Sequence, residues 1–125
     1  MSVIQIIPQI RTTDIEQSID FYVNKLGFEL GFRYEDFYAG INAGNGAIHL
    51  KLVDDKCPSI DFVRQGNHLH LYFPTEDVLE TARNFKASGV TFLTEPHDTD
   101  YSRNEFSIVD NQGHVLHFAE LNQEA

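Results

Sequence analysis

Asn104–Glu120, NEFSIVDNQGHVLHFAE, is the stretch whose reading decides the fold. It predicts two short strands joined by a tight turn at Asp110-Asn111-Gln112-Gly113. Gly113 supplies the positive φ such turns need, and Asp and Asn favour turn positions through local hydrogen bonds. In the second strand Leu116 and Phe118 alternate with Val115, His117 and Ala119, so an apolar face opposes a face carrying a histidine.

Working outward, the same pattern occurs once before. Ala47–Val53 alternates Ile48, Leu50 and Leu52 against His49 and Lys51, after strands at 28–34 and 37–41 and a turn at Asn42-Ala43-Gly44-Asn45-Gly46. On an offset of 68 residues Tyr38 matches Phe106, Ile48 matches Leu116, His49 matches His117 and Leu50 matches Phe118. The preceding strand and helix repeat on an offset of 63, from Asp14 to Asp77, which sets Tyr22 against Phe85 and Ile7 against His70. Internal repeats of this kind define architecture before any other signal does.

Each half thus reads strand, helix, three strands. In the first half, Ile4–Ile10 is the opening strand. Thr13 and Glu16 are read as a capping box, Ile15, Ile19, Tyr22, Val23 and Leu26 as a helical stripe, and Gly27 as the residue that ends the helix. In the second half His68–Phe73 alternates Leu69, Leu71 and Phe73 against His68, His70 and Tyr72. A helix follows over 76–88, with Val78, Ala82 and Phe85 inward and Gly89 at its end. Val90–Leu93 is read as a strand and Thr94–Arg103 as a polar loop. Asp54–Gly66 has no period and is read as a linker. The expected fold is α+β: two βαβββ modules, about 3–53 and 67–121 of a single 1–125 domain. They form a curved mixed sheet around a central cavity, with the helices outside.

Composition narrows the partners. Apolar residues are 42% and charged residues 22%, ordinary for a globular chain, and the formal charge of −10 argues against nucleic acid or an anionic membrane. No apolar run is long enough for a membrane span, and Met1-Ser2-Val3 opens into a strand, so a cytoplasmic location is expected. The single cysteine, Cys57, excludes an internal disulfide and a multi-cysteine zinc cluster and is read as a bystander thiol.

The alternation sets the aliphatic face (Ile48, Leu50, Leu69, Leu71, Leu116, Phe118) under the helices. It sets His49, His70 and His117 on the other face, where three imidazoles suit a divalent metal such as zinc, nickel, copper or iron. The bland alternative is a non-core sheet face that is merely allowed to be polar. His68, His114 and His97 are read as surface or loop residues. No Ser-His-Asp order, phosphate-cradling glycine loop or activated cysteine is present.

With these motifs in view, the chain resembles the vicinal-oxygen-chelate superfamily of glyoxalase I, bleomycin-resistance proteins, fosfomycin-resistance enzymes and extradiol dioxygenases. IRTTDIEQSIDFYVNKLGFEL (10–30) resembles the first-helix signature, HLYFPTEDVLETARNFKASGV (70–90) the opening of the second half, and FSIVDNQGHVLHFAE (106–120) the closing hairpin. The resemblance runs from about Ile4 to Leu121 and is closest to small bleomycin-resistance-like members. The superfamily's metal-dependent members place one ligand at each of four positions, which fall here on Ile7, His49, His70 and His117, and a divalent metal held there would be zinc, nickel, iron or manganese. Ile7 cannot ligate, and no carboxylate stands at a ligand position to act as base, so glyoxalase I proper is not implied.

Three function classes remain. The favoured one is a homodimeric protein that binds a small organic ligand in the cavity between the repeats, without chemistry and with no certain cofactor. Its pocket is drawn from Tyr38, Lys51, Tyr72, Phe37, Tyr101 and Arg103, with Phe62 as a further aromatic and Glu35 as a charge to watch. The alternative is a three-histidine metal-dependent lyase or dioxygenase. The third is an interaction module with a degenerate site.

Overall fold

A computed structural model describes residues 2–65 and 70–121 of the chain. It resolves into two compact units, Met1–Ile60 and Asp61–Ala125, each built on a four-stranded mixed sheet. The α+β class and both βαβββ units are present.

Unit 1 contains β1 (Gln9–Thr12), α1 (Ile15–Asp20, prolonged by one wide π-turn, Phe21–Lys25), β2 (Glu29–Tyr34), β3 (Tyr38–Ala43) and β4 (Gly46–Leu52). The sheet order is β1-β4-β3-β2, with β1 parallel to β4 and the other pairs antiparallel. The first strand is shorter than Ile4–Ile10: Ile4 and Ile6 are 98% and 87% exposed. Pro8 has no N–H to extend the ladder, and its carbonyl accepts the first bond, from the His49 N–H at 2.9 Å.

The entry to α1 also differs from the expected capping box. Asp14, not Thr13, is the N-cap, its carboxylate accepting from the Gln17 N–H at 3.0 Å, while the Glu16 carboxylate goes to Arg33 instead. The buried stripe is Ile15, Ser18, Phe21, Tyr22 and Leu26, with Ile19 and Val23 only half-buried. The π-turn supplies the reason, because one extra residue in the turn rotates everything beyond it. Ser18 is tolerated inside because its hydroxyl donates to Thr12 Oγ1 at 2.7 Å. Gly27 closes the helix at φ +81, as expected.

The segment read as a linker carries a short helix, α2 (Pro58–Arg64). Proline is at home in a first helical turn, and a helix this short gives periodicity little to register: Ile60 is fully buried while Phe62 is exposed.

Unit 2 contains β5 (His70–Pro74), α3 (Val78–Ala87), β6 (Phe92–His97), β7 (Ser102–Val109) and β8 (Val115–Leu121), in the order β5-β8-β7-β6. His68 and Leu69 lie outside the described residues. Asp77 caps α3 through the Glu80 N–H, and Val78, Ala82 and Phe85 are its buried face. Phe85 meets Phe118 and Phe106 edge-on, at 5.1 and 5.9 Å between ring centroids, and Phe106, Phe118, Phe73 and Phe92 stack behind it. Phe85, Phe106 and Phe118 are buried and contribute about 1.5–3 kcal/mol each by leaving water, while Phe73 and Phe92 are half-buried at the edges of the cluster.

Two expectations change here. The polar segment 94–103 is mostly strand: Thr94 faces Ser107 and His97 faces Glu105, with bulges between them that break the alternation. His97 ends β6, exposed, its Nδ1 2.8 Å from the Glu95 carbonyl. His114 is buried rather than on the surface, because β8 lies between β5 and β7 and the turn folds back under it. Asp110 Oδ1 accepts the N–H groups of Gln112, Gly113 and His114, and Gly113 has φ +101.

Candidate functional site

The helix-free face of each sheet carries the polar residues, as alternation predicted. In unit 1, α1 packs on β3 and β4, where Ile48, Leu50 and Ile41 are buried. The opposite parity presents Gln9 from β1, His49 and Lys51 from β4, Tyr38 and Gly40 from β3 and Phe32 from β2. Register fixes the neighbours: Gln9 faces His49, Gly40 faces His49 and Tyr38 faces Lys51.

These side chains form a relay. Gln9 Nε2 donates to Tyr38 Oη at 3.1 Å, and Tyr38 Oη lies 2.9 Å from His49 Nδ1. The Tyr38 hydroxyl thus joins the Gln9 amide to the His49 imidazole in one hydrogen-bonded chain. Phe32 covers the relay, edge-on to His49 at 5.2 Å and stacked on Tyr38 at 6.2 Å. It does so by lying directly on Gly40, where a Cβ would fall 2.2 Å from the ring.

Unit 2 places a carboxylate where unit 1 has the tyrosine hydroxyl. Tyr72 Oη donates to Glu105 Oε1 at 3.0 Å, and Glu105 Oε2 stands 3.8 Å from His117 Nδ1. Ser102 Oγ also donates to Glu105 Oε1, at 3.1 Å, and His117 Nε2 lies 3.0 Å from His70 Nδ1. Glu105 is only 6% exposed. A carboxylate in that position favours the His117 proton on Nδ1, leaving Nε2 as acceptor toward His70. Burial, then the neighbouring His70, hold the His117 imidazole below its ordinary pKa against the upward pull of Glu105. Burial and then Glu105 push the Tyr72 phenol up to about 12.

The register corrects one repeat match. Ile41 faces Ile48 and Ile108 faces Leu116, so the first hairpin strands correspond on an offset of 67, one less than the second strands. The difference is one additional residue in the turn of the second hairpin. Tyr38 therefore corresponds to Glu105, not to Phe106, and both stand beside Nδ1 of the hairpin histidine. Glu105 is the member of this cluster that sequence reading missed. The odd number of residues between Ile108 and Leu116 was the available signal.

The other candidates disperse. Phe37 is exposed at the tip of the β2–β3 turn, edge-on to Tyr34. Glu35 occupies that turn at φ 49, its carbonyl accepting from Arg33 Nε. Lys51 is half-buried, Arg103 is exposed where register sets it opposite Glu120, and Tyr101 lies 6.3 Å from Tyr72 between ring centroids. Ile7 precedes β1 and offers no donor. Cys57 touches Ser59 at 3.0 Å, and that hydrogen bond holds its thiol below the ordinary value. Among the described residues no group of three or more His, Cys, Asp or Glu side chains is placed to hold a metal ion.

Comparison with known proteins completes the assignment. The model of the Glyoxalase/Bleomycin resistance protein/Dioxygenase superfamily matches residues 4–118. The chain belongs to this superfamily. Within the superfamily's fold it is similar to TnmS3, an antibiotic binding protein from Streptomyces sp. CB03234, with a TM-score of 0.70, 22% identity and coverage of 98% of this chain and 100% of that one. It is equally similar, at 0.70 and 18% identity over 98% and 99% of the two chains, to the bleomycin-binding protein of bleomycin-producing Streptomyces verticillus, whose structure holds copper(II)-bleomycin. An uncharacterized protein of Shewanella frigidimarina is 29% identical over 100 residues, 70% of this chain and 72% of its own length. At these identities the solved structures establish the superfamily fold. The sheet faces of this chain carry the rest of the argument.

Proposed function

We propose that this superfamily member binds a small organic ligand on the helix-free faces of its sheets and performs no chemistry on it. One observation carries the reading. Both units set their hairpin histidine in a polar cluster drawn from three strands, hydrogen-bonded throughout in Gln9–Tyr38–His49 and closed by a 3.8 Å ion-pair contact in Tyr72–Glu105–His117, beside aromatic rings left open to solvent. Preorganised polar groups among half-exposed rings are what orient a bound organic molecule, and the flat faces of Phe32, Tyr72 and Tyr101 supply apolar contact area. Similarity to an antibiotic binding protein and to a bleomycin-binding protein supports the same reading. The homodimer expected from the resemblance is part of the proposal, and light scattering on the eluting protein reads it directly. A thermal-shift screen of drug-like and natural-product compounds tests the binding. Several compounds raising the melting temperature in wild type, but not in a Tyr38→Ala, Tyr72→Ala variant, is the expected result. A screen in which nothing shifts the wild type sinks the proposal.

A second reading has its own observation. Two ligands on one metal at about 2.0–2.1 Å are separated by roughly 2.9–3.4 Å, and His70 Nδ1 and His117 Nε2 are 3.0 Å apart. With both nitrogens deprotonated the pair offers two donors, with Glu105 behind His117 as the outer partner that orients it. A bound divalent ion would supply Lewis acidity to ligand oxygens. Titration of nickel, zinc, iron(II) and manganese into chelator-treated protein and into a His70→Ala, His117→Ala variant decides it. Tight binding lost in the variant supports the metal, and equal weak binding in both removes it.

A further inference from the structure

Four rings follow one another along the helix-free face of unit 2: Tyr101, Tyr72, His117 and His70. Successive centroids are 6.3, 6.2 and 5.1 Å apart. Tyr101 and Tyr72 are inclined at 48° and are 58% and 39% exposed, so their faces make an open corner rather than a closed stack. Behind the corner lies the carboxylate of Glu105, buried and bonded by two neutral hydroxyls, those of Tyr72 and Ser102. Among the described residues no lysine or arginine pairs with it; its ionic neighbour is His117 at 3.8 Å. A buried anion served by neutral donors leaves a negative potential at the nearest opening, and Tyr72 is the side chain through which that potential reaches solvent.

The loop that carries Tyr101 is built to hold it. Thr99 N–H donates to the Ser102 carbonyl, the Thr99 and Ser102 hydroxyls touch, and Asp98 accepts the Asn104 N–H at 3.1 Å with Asn104 at φ 54. Asp98 and Asp100 add negative charge to the loop, opposed by Arg103 at the start of β7, in a chain of net charge −10.

We propose that Tyr101, Tyr72 and the buried Glu105 form a recognition corner for an organic cation, a tertiary or quaternary ammonium group of the bound ligand. This deepens the ligand-binding reading and rests on it. An ammonium group within about 6 Å of a ring centroid is attracted by the negative face of the ring. Two tyrosine faces inclined to each other at this spacing hold one cation between them, and the hydrogen bond from Tyr72 to a carboxylate enriches its ring in electron density. Glu105 compensates the charge without touching the ligand, so a quaternary ammonium, which cannot donate a hydrogen bond, is as acceptable as a protonated amine. Among the described residues no carboxylate bonds to Tyr38 or His49 in unit 1, so the preference belongs to unit 2.

Choline is the probe and 3,3-dimethylbutan-1-ol its uncharged isostere, titrated into the full chain and followed by the ring proton shifts of Tyr72 and Tyr101. Choline is expected to move both rings in the millimolar range and the isostere to bind at least fivefold more weakly. Tyr101→Leu and Glu105→Gln are each expected to weaken choline about fivefold, and Tyr101→Phe to keep it, since the ring face survives. Equal binding of choline and its isostere overturns the inference by showing an apolar corner. So does choline binding that Tyr101→Leu leaves intact, or an absence of any shift at 50-fold the concentration expected, roughly 0.1 M. If choline fails these tests while a neutral compound from the thermal-shift screen binds, the ligand-binding reading stands and the cation corner alone falls.

Discussion

Gly40→Ala is a small change with a large expected consequence. A Cβ on Gly40 would lie 2.2, 2.6 and 3.0 Å from Cε1, Cδ1 and Cζ of Phe32. Ordinary contact begins near 3.4 Å, so the ring must move by more than 1 Å. Phe32 is 45% exposed and free to swing outward, which limits the cost to the contacts it leaves behind. Those are the edge-on contact with His49 at 5.2 Å and the stack on Tyr38 at 6.2 Å, worth about 0.5–1.5 kcal/mol each. A loss of about 1–2 kcal/mol is therefore expected, or roughly 3–6 °C in Tm for a chain of this size. The backbone adds no strain, because Gly40 does not adopt a positive φ, and the reduced freedom of the unfolded chain offsets about 0.4–1 kcal/mol of the loss. The assay is chemical denaturation of wild type, Gly40→Ala, Phe32→Ala and the double variant. If the clash is the cause, Gly40→Ala costs almost nothing once Phe32 is gone, with a coupling of about 1 kcal/mol. Additive losses, or a Gly40→Ala variant as stable as wild type with the Phe32–His49 proximity intact by NMR, would refute the placement of Phe32.

Three further outcomes follow from the relays and the turn. Glu105→Ala takes the acceptor from the Tyr72 hydroxyl and leaves that of Ser102 with Thr99 alone, and is expected to cost about 1–3 kcal/mol; Glu105→Gln, which still accepts, costs less. In both, the Tyr72 phenol titrates below its value of about 12, though still above 10 because burial is its larger cause, as absorbance at 295 nm during alkaline titration shows. His117 has a folded-state pKa lowered from 6.5, so below that value the unfolded chain binds more protons and stability falls as pH falls through the window. Denaturation at pH 8, 7, 6 and 5 should show this slope, and His117→Gln should flatten it. Asp110→Ala removes an oxygen that accepts three backbone N–H groups and is expected to cost about 2 kcal/mol; Asp110→Asn, which keeps an acceptor oxygen, costs about half as much.

The repeat and both helices were legible because their signals are local. Gly27, Gly89 and Gly113 stand where the backbone turns left-handed, and Val78, Ala82 and Phe85 recur at helical spacing. Strand parity was legible too, since alternation alone set His49, His70 and His117 opposite the aliphatic residues. What escaped depended on pairing rather than period. The strand character of 94–103 is hidden by bulges whose register no single-strand pattern encodes. The burial of His114 comes from the central place of β8, which neighbours β5 and β7 impose. Glu105 was passed over because its role needs the one-residue difference between hairpin turns and the hydroxyls of Tyr72 and Ser102, residues from another strand and from the strand's own start. The capping box failed for a similar reason: Arg33, 17 residues on, claims the carboxylate of Glu16.

The most direct test of ligand binding on the helix-free faces is an aromatic-ring NMR map, recorded with and without the compound that most raises Tm in the thermal-shift screen. The rings of Phe32, Tyr38, His49, Tyr72 and His117 are predicted to shift, while Phe85, Phe106 and Phe118, packed between α3 and its sheet, stay in place. Shifts confined to the helix-facing phenylalanines, or spread evenly over both sets, would contradict the account.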